Sequence, residues 1–160
     1  MAEGRDWLHP HMRFREVAEP NTILRVQVGS GVHGTAVSGQ DDRDEMGVCL
    51  EPAQYVTGLD RFEQYEYHTA WERGGLSERS GAGDLDVVIY SARKWLRLAL
   101  QGNPTVLLPL FVPEAEIVAV SPLGYDLRAN VARIVIAMAY TAGTAMRTIS
   151  QPMSASSWIW

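Results

Sequence analysis

The sequence has one cysteine, no excess of basic residues and no long apolar run, and each lack argues against a class of protein. The single thiol, Cys49, cannot form an internal disulfide, so we expect a reducing, cytoplasmic setting. A net charge of −5 argues against binding nucleic acid through a broad basic surface. No stretch reaches the roughly 18 apolar residues that cross a bilayer, and we expect no membrane partner. The N-terminus also lacks the apolar core of a secretory signal.

Two common catalytic motifs are also missing. The chain contains no G-x-S-x-G nucleophile elbow, because Ser30 is preceded directly by Gly29. It contains no G-x-x-x-x-G-K-[ST] phosphate loop either. The sequence therefore predicts neither a serine hydrolase nor a P-loop enzyme.

The length of 160 residues predicts a single domain over 1–160. Residues 1–20 lead into this domain, and residues 134–160 form an atypical apolar tail. Between them, alternating and apolar patterns predict strands at 23–28, 42–50, 84–90 and 116–120. Ser91 and Gly102 bracket an amphipathic helix, residues 55–71 show no clear pattern, and 72–83 read as a loop. This order predicts an α+β fold with a mixed β-sheet flanked by helices.

Three aspartates are the candidate catalytic and metal-binding residues. Asp42 and Asp44 share one face of a predicted strand, because side chains two positions apart point the same way. Asp86 emerges from an otherwise apolar strand, and Asp84 at the start of that strand is the alternative. Carboxylates about 4 Å apart repel by roughly 4 kcal/mol at an effective dielectric of 20, so such a cluster needs a cation. Taken alone, D-D-R-D is more typical of a solvated turn.

The glycine-rich segment before the paired aspartates is the candidate nucleotide-binding element. The backbone at Gly29 and the hydroxyl of Ser30 are suited to phosphate oxygens. His33 either donates to a phosphate or hydrogen-bonds the loop. Lys94, on the cationic face of the predicted helix, faces either a triphosphate or solvent.

Three segments carry a resemblance: V-G-S-G-V-H-G at 28–34, D-D-R-D-E-M-G-V at 41–48, and the long block at 84–107. They resemble the polymerase-β-type nucleotidyltransferase superfamily, and more narrowly the bacterial and phage predicted nucleotidyltransferases linked to RNA repair. The resemblance implies a polymerase-β-like core that uses two Mg²⁺ ions and an NTP such as ATP. Gly29 and Ser30 would hold phosphate, Asp42 and Asp44 would ligate both ions, and Asp86 would ligate one and help activate an acceptor hydroxyl.

The resemblance implies transfer of a nucleoside monophosphate from the NTP to a hydroxyl acceptor and leaves that acceptor open. The acceptor could be an RNA end, a tRNA or a protein. A tRNA or a protein would be the acceptor of a toxin-like transferase. A non-catalytic module that binds Mg²⁺ and NTP is the alternative. The tail departs from the family pattern, since 134–160 contain one charged residue, Arg147. An apolar tail of this kind favours a homo-oligomer.

Overall fold

A five-stranded sheet forms the centre of the protein in a computed structural model that describes residues 14–29, 43–75, 79–137 and 139–140. The strands lie in the order β3-β4-β2-β1-β5. The pair β2 and β4 is parallel and the other pairs are antiparallel, which confirms the predicted mixed sheet. The strand bounds are β1 (Thr22–Val28), β2 (Arg43–Cys49), β3 (Gln64–His68), β4 (Leu85–Ser91) and β5 (Ile117–Val120).

Short helices connect and cover the strands. They are α1 (Arg15–Ala18), α2 (Ala53–Thr57), α3 (Thr69–Gly74), α4 (Ala92–Leu100), α5 (Leu108–Phe111) and α6 (Pro122–Ala129). Single 3₁₀ turns occupy Glu19–Asn21, Thr105–Leu107 and Glu114–Glu116, and residues 131–137 are also helical. Within these described ranges, no helix is both long enough and apolar enough to cross a membrane.

Helix α4 has the bounds that its terminal residues predict. The side chain of Ser91 accepts a hydrogen bond from the backbone N–H of Lys94 at 3.2 Å, which satisfies one donor of the first turn. Gly102 follows the helix with φ +80°, a conformation that favours glycine. Trp95 is buried, and its indole N–H donates to the carbonyl of Val106 at 2.6 Å. The helix therefore packs against the sheet through an anchored aromatic ring.

Each face of the sheet carries its own core. One face packs against α4 and α5, and its buried residues are Ile23, Leu24, Val26, Val48, Trp95, Ala99, Val106, Leu110 and Val112. The other face is covered in part by α1, and its buried residues are Ala18, Cys49, Phe62, Tyr65, Val87 and Ile89. Cys49 is buried, and burial raises the pKa of its thiol to about 12.

The segment 55–71, which lacks a clear sequence pattern, contains α2, β3 and the start of α3. The residues of β3, Q-Y-E-Y-H, alternate aromatic and polar side chains, and Tyr65 packs into the second core. The predicted loop at 72–83 is shorter than expected, because α3 extends to Gly74. In the predicted tail, Ile136 and Tyr140 are exposed, and residues 141–160 lie outside the described residues.

Candidate active site

Asp44 and Asp86 are direct neighbours across the parallel pair of strands β2 and β4. Residues paired in register on adjacent strands project from the same face, and the strands lie about 4.8 Å apart. The two carboxylates therefore share one face of the sheet, as the predicted site requires. Asp42, Ser30 and His33, the other candidates from this region, lie outside the described residues.

The backbone of Gly29 lies close to the carboxylate of Asp44. It follows Val28, which pairs with Asp44 across β1 and β2, and it has φ +102°. A Cβ atom at this position would lie 2.7 Å from Oδ2 of Asp44, closer than real Cβ atoms approach. Glycine is thus required here both for the backbone conformation and for the space that the carboxylate occupies.

The two aspartates line an open cleft of about 510 Å³. Its polar wall includes Gly29, Asp44, Glu66, His68 and Asp86, and its apolar wall includes Val28, Met46, Val88, Tyr90 and Leu108. Burial raises the pKa of the Tyr90 phenol, and the charge of Glu66 raises it further. A concave site with a few polar groups beside an apolar surface is typical of small-molecule binding.

Asp86 has two polar partners that sequence reasoning did not identify. His68 Nδ1 lies 3.0 Å from Oδ1 of Asp86, and the hydroxyl of Ser80 donates to the same oxygen at 2.6 Å. The ring of His68 also packs on Trp71, with a centroid separation of 4.0 Å. The available signal was the alternation of aromatic and polar residues in β3, and it is the pairing of β3 with β4 that places His68 in register with Asp86.

Asp84, the alternative to Asp86, has a different environment. It is 3% exposed and forms a two-point ion pair with Arg73, with N–O distances of 2.5 and 2.7 Å. It also accepts the backbone N–H of Gly81 at 2.9 Å. The hydrogen bonds from Arg73 and then Gly81 lower the pKa of the Asp84 carboxyl below its usual value. Asp84 therefore stabilises the loop before β4 through its contacts with Arg73 and Gly81. It is not among the residues that line the cleft.

Lys94 lies near the opposite end of β4 from Asp86. The strand rises about 3.3 Å per residue, so Ser91, where β4 ends, is roughly 16 Å along the strand from Asp86. The Nζ atom of Lys94 contacts Oε1 of Gln64 and lies 3.7 Å from Glu63. It is also 5.6 Å from the centre of the Tyr90 ring. Lys94 thus lines a second, polar cavity of about 240 Å³ and lies near Tyr90, a residue of the cleft.

The donor chemistry of Asp44 and Asp86 fits a hard divalent cation. Mg²⁺ is usually bound by one or two carboxylates together with substrate phosphates, rather than by a full set of protein ligands. Gly29, which follows β1, lines the cleft beside the two aspartates.

A mixed sheet that presents neighbouring aspartates beside Gly29 is consistent with a nucleotidyltransferase core of the polymerase-β type. The chain belongs to the RNA repair pathway DNA polymerase beta family, whose sequence model it matches over residues 7–151. This match confirms the resemblance that the motifs carry, and it indicates nucleotidyltransferase activity. Families of this type generally use an NTP and a divalent metal. No curated protein and no solved structure matches the chain.

Proposed function

We propose that this protein transfers a nucleoside monophosphate from an NTP, such as ATP, to a hydroxyl acceptor. The observation that supports this most directly is the in-register pairing of Asp44 with Asp86 beside Gly29. Two like charges held side by side are tolerable when a cation neutralises them. The pairing therefore supports the proposal of a metal site at Asp44 and Asp86.

In this proposal, Asp42 completes the carboxylate set, and the set binds two Mg²⁺ ions. Gly29 and Ser30 bind phosphate through a backbone N–H and a hydroxyl, and His33 donates to the same phosphates. Bound Mg²⁺ would neutralise charge on the polyphosphate and favour ionisation of the acceptor hydroxyl. The apolar wall formed by Met46, Val88 and Leu108 offers a surface for the nucleoside.

The proposed reaction is a single displacement at the α-phosphorus of the NTP. The acceptor oxygen forms a bond to this phosphorus while the bond to the bridging α–β oxygen breaks. Pyrophosphate leaves with that bonding pair, and the hydroxyl proton passes to Asp86 or to solvent. The protein contributes mainly by holding the acceptor and the polyphosphate in line.

An RNA end is the acceptor that we favour, because the family description refers to RNA repair. With a net charge of −5, the protein would hold this acceptor near its reactive end rather than along a broad basic surface. If the acceptor is instead a tRNA or a protein, the same assay would detect the label on that molecule.

The test incubates the protein with Mg²⁺, α-labelled NTPs and a pool of RNA, tRNA or protein acceptors, and it measures label transfer and pyrophosphate. We expect Asp44→Asn and Asp86→Asn each to reduce transfer by about 1,000-fold, which corresponds to the several kcal/mol that metal-based charge stabilisation supplies. Asp126→Asn is the matched control, because Asp126 is an exposed carboxylate on α6 that does not line the cleft.

The same experiment distinguishes the alternatives. Transfer that survives Asp86→Asn would contradict the proposal. NTP binding that depends on Mg²⁺, without release of pyrophosphate from any acceptor pool, would instead support a non-catalytic module. Growth arrest on expression, abolished by Asp42→Ala, would indicate a toxin-like transferase.

A further inference from the structure

The two oxygens of the Asp86 carboxylate have unequal surroundings. His68 Nδ1 and Ser80 Oγ both contact Oδ1, at 3.0 and 2.6 Å. A carboxylate oxygen has two lone-pair sites, so these two donors fill the capacity of Oδ1. The protein therefore holds one oxygen of Asp86 and leaves Oδ2 as the oxygen suited to an incoming ligand.

We propose that His68 is a positioning residue for metal binding by Asp86. In this role, its Nδ1–H would donate to Oδ1 and restrict the rotation of the carboxylate, which would leave Oδ2 available to a cation. This inference rests on the proposed function, because it assigns His68 a role in the same site. Partners that orient metal-binding carboxylates commonly control both the affinity for the metal and the geometry of the site.

The position of His68 is itself fixed from two directions. The antiparallel pairing of β3 and β4 places its backbone in register with Asp86. Its ring packs on Trp71 with a 4.0 Å centroid separation, and α3 begins at the next residue. A neutral ring with its proton on Nδ1 and a protonated ring both donate from that atom, so the role requires no change of protonation.

Ser80, the second donor, lies on a loop that the Asp84 ion pair restrains. The next residue, Gly81, donates its backbone N–H to Asp84, which is paired with Arg73. The backbone N–H of Arg43 donates to the carbonyl of Asp84 at 2.7 Å, which ties the same point to β2. These contacts hold Ser80 against Asp86, so that the carboxylate is fixed from both β3 and the loop.

Two substitutions separate hydrogen bonding by His68 from packing of its ring. His68→Phe keeps an aromatic ring against Trp71 and removes the donor. His68→Asn removes the ring and keeps an N–H at a position close to that of Nδ1. If His68 acts by donating, His68→Phe is the damaging change and His68→Asn restores most of the loss.

The measurement is a Mn²⁺ titration followed by electron paramagnetic resonance, with a non-hydrolysable ATP analogue present. We expect His68→Phe to weaken Mn²⁺ binding by roughly 10- to 100-fold, as for other residues that orient metal ligands. In the transfer assay, the Mg²⁺ concentration for half-maximal rate should rise by a similar factor. Ser80→Ala should shift both values in the same direction, and His68→Asn should stay within about 3-fold of the wild type, a difference of less than 1 kcal/mol.

Each outcome bears on the inference. Equal Mn²⁺ affinities for the wild type and His68→Phe would overturn it, as would a defect in His68→Asn with none in His68→Phe. Wild-type protein that binds no Mn²⁺ would overturn it as well. Mn²⁺ binding that depends on His68 in a protein that transfers no nucleotide would refute the proposed function and leave the positioning role supported.

Discussion

Replacing Gly29 with alanine tests whether the contact between the glycine turn and Asp44 matters for activity. The new Cβ would lie 2.7 Å from Oδ2 of Asp44, and the residue would keep φ +102°. The backbone conformation costs about 1–3 kcal/mol for a residue other than glycine. Turning the carboxylate away adds about 1 kcal/mol if its side chain leaves a preferred rotamer. Because displacements near 1 Å can cost about 100-fold in rate, we expect nucleotidyl transfer to fall by at least that factor.

Gly102→Ala is the matched control for this substitution. Gly102 has φ +80°, yet a Cβ there would meet no atom within 4 Å, and the residue lies at the far end of α4. Both variants should therefore lose stability in thermal unfolding, by about 2–4 °C per kcal/mol. Only Gly29→Ala should also lose activity and Mn²⁺ affinity. Full activity in Gly29→Ala would refute the reasoning, because it would show that the carboxylate can move without consequence.

Two further predictions concern stability. Glu45 is 3% exposed and forms ion pairs with Arg25 and Arg43, so Glu45→Gln should lower the free energy of unfolding in urea by about 2 kcal/mol. An unchanged value would contradict the importance of this ion pair. The lowered pKa of Asp84 means that its ion pair stabilises the fold above the ordinary pKa of 3.8 and loses this effect as the pH falls through the folded-state pKa. Near neutral pH, the melting temperature of Asp84→Asn should thus lie below that of the wild type. The two melting temperatures should converge in acid. A constant difference between them down to a pH of about 2 would contradict this account.

The β4–α4 unit could be predicted because its signals are local. An apolar run, a serine that caps and a glycine that ends the helix all lie within one short segment. The strand β3 could not be predicted with equal ease. Its five residues combine aromatic, polar and charged side chains, and their extended state depends on pairing with β4, which no local pattern encodes.

The candidate site was only partly accessible to sequence reasoning. Strand periodicity predicts that Asp42 and Asp44 share a face, and Asp42 lies outside the described residues. The meeting of Asp44 with Asp86 depends on the register of two strands that are distant in the chain. Family resemblance supplied that relation. The contacts of His68 and Ser80 with Asp86 were missed, because both residues lie in segments whose structure is set by tertiary packing.

The parallel pairing of β2 with β4 makes catalytic competence a sensitive reporter of correct chain assembly. A slip of one residue between these strands would turn Asp86 to the reverse side of the sheet, while the strand content stayed nearly the same. Circular dichroism would scarcely distinguish such a misaligned protein from the native one. The misaligned protein would nevertheless lack the Asp86 carboxylate in its cleft. Recovery of activity during refolding should therefore lag behind recovery of the spectroscopic signal whenever misaligned species form.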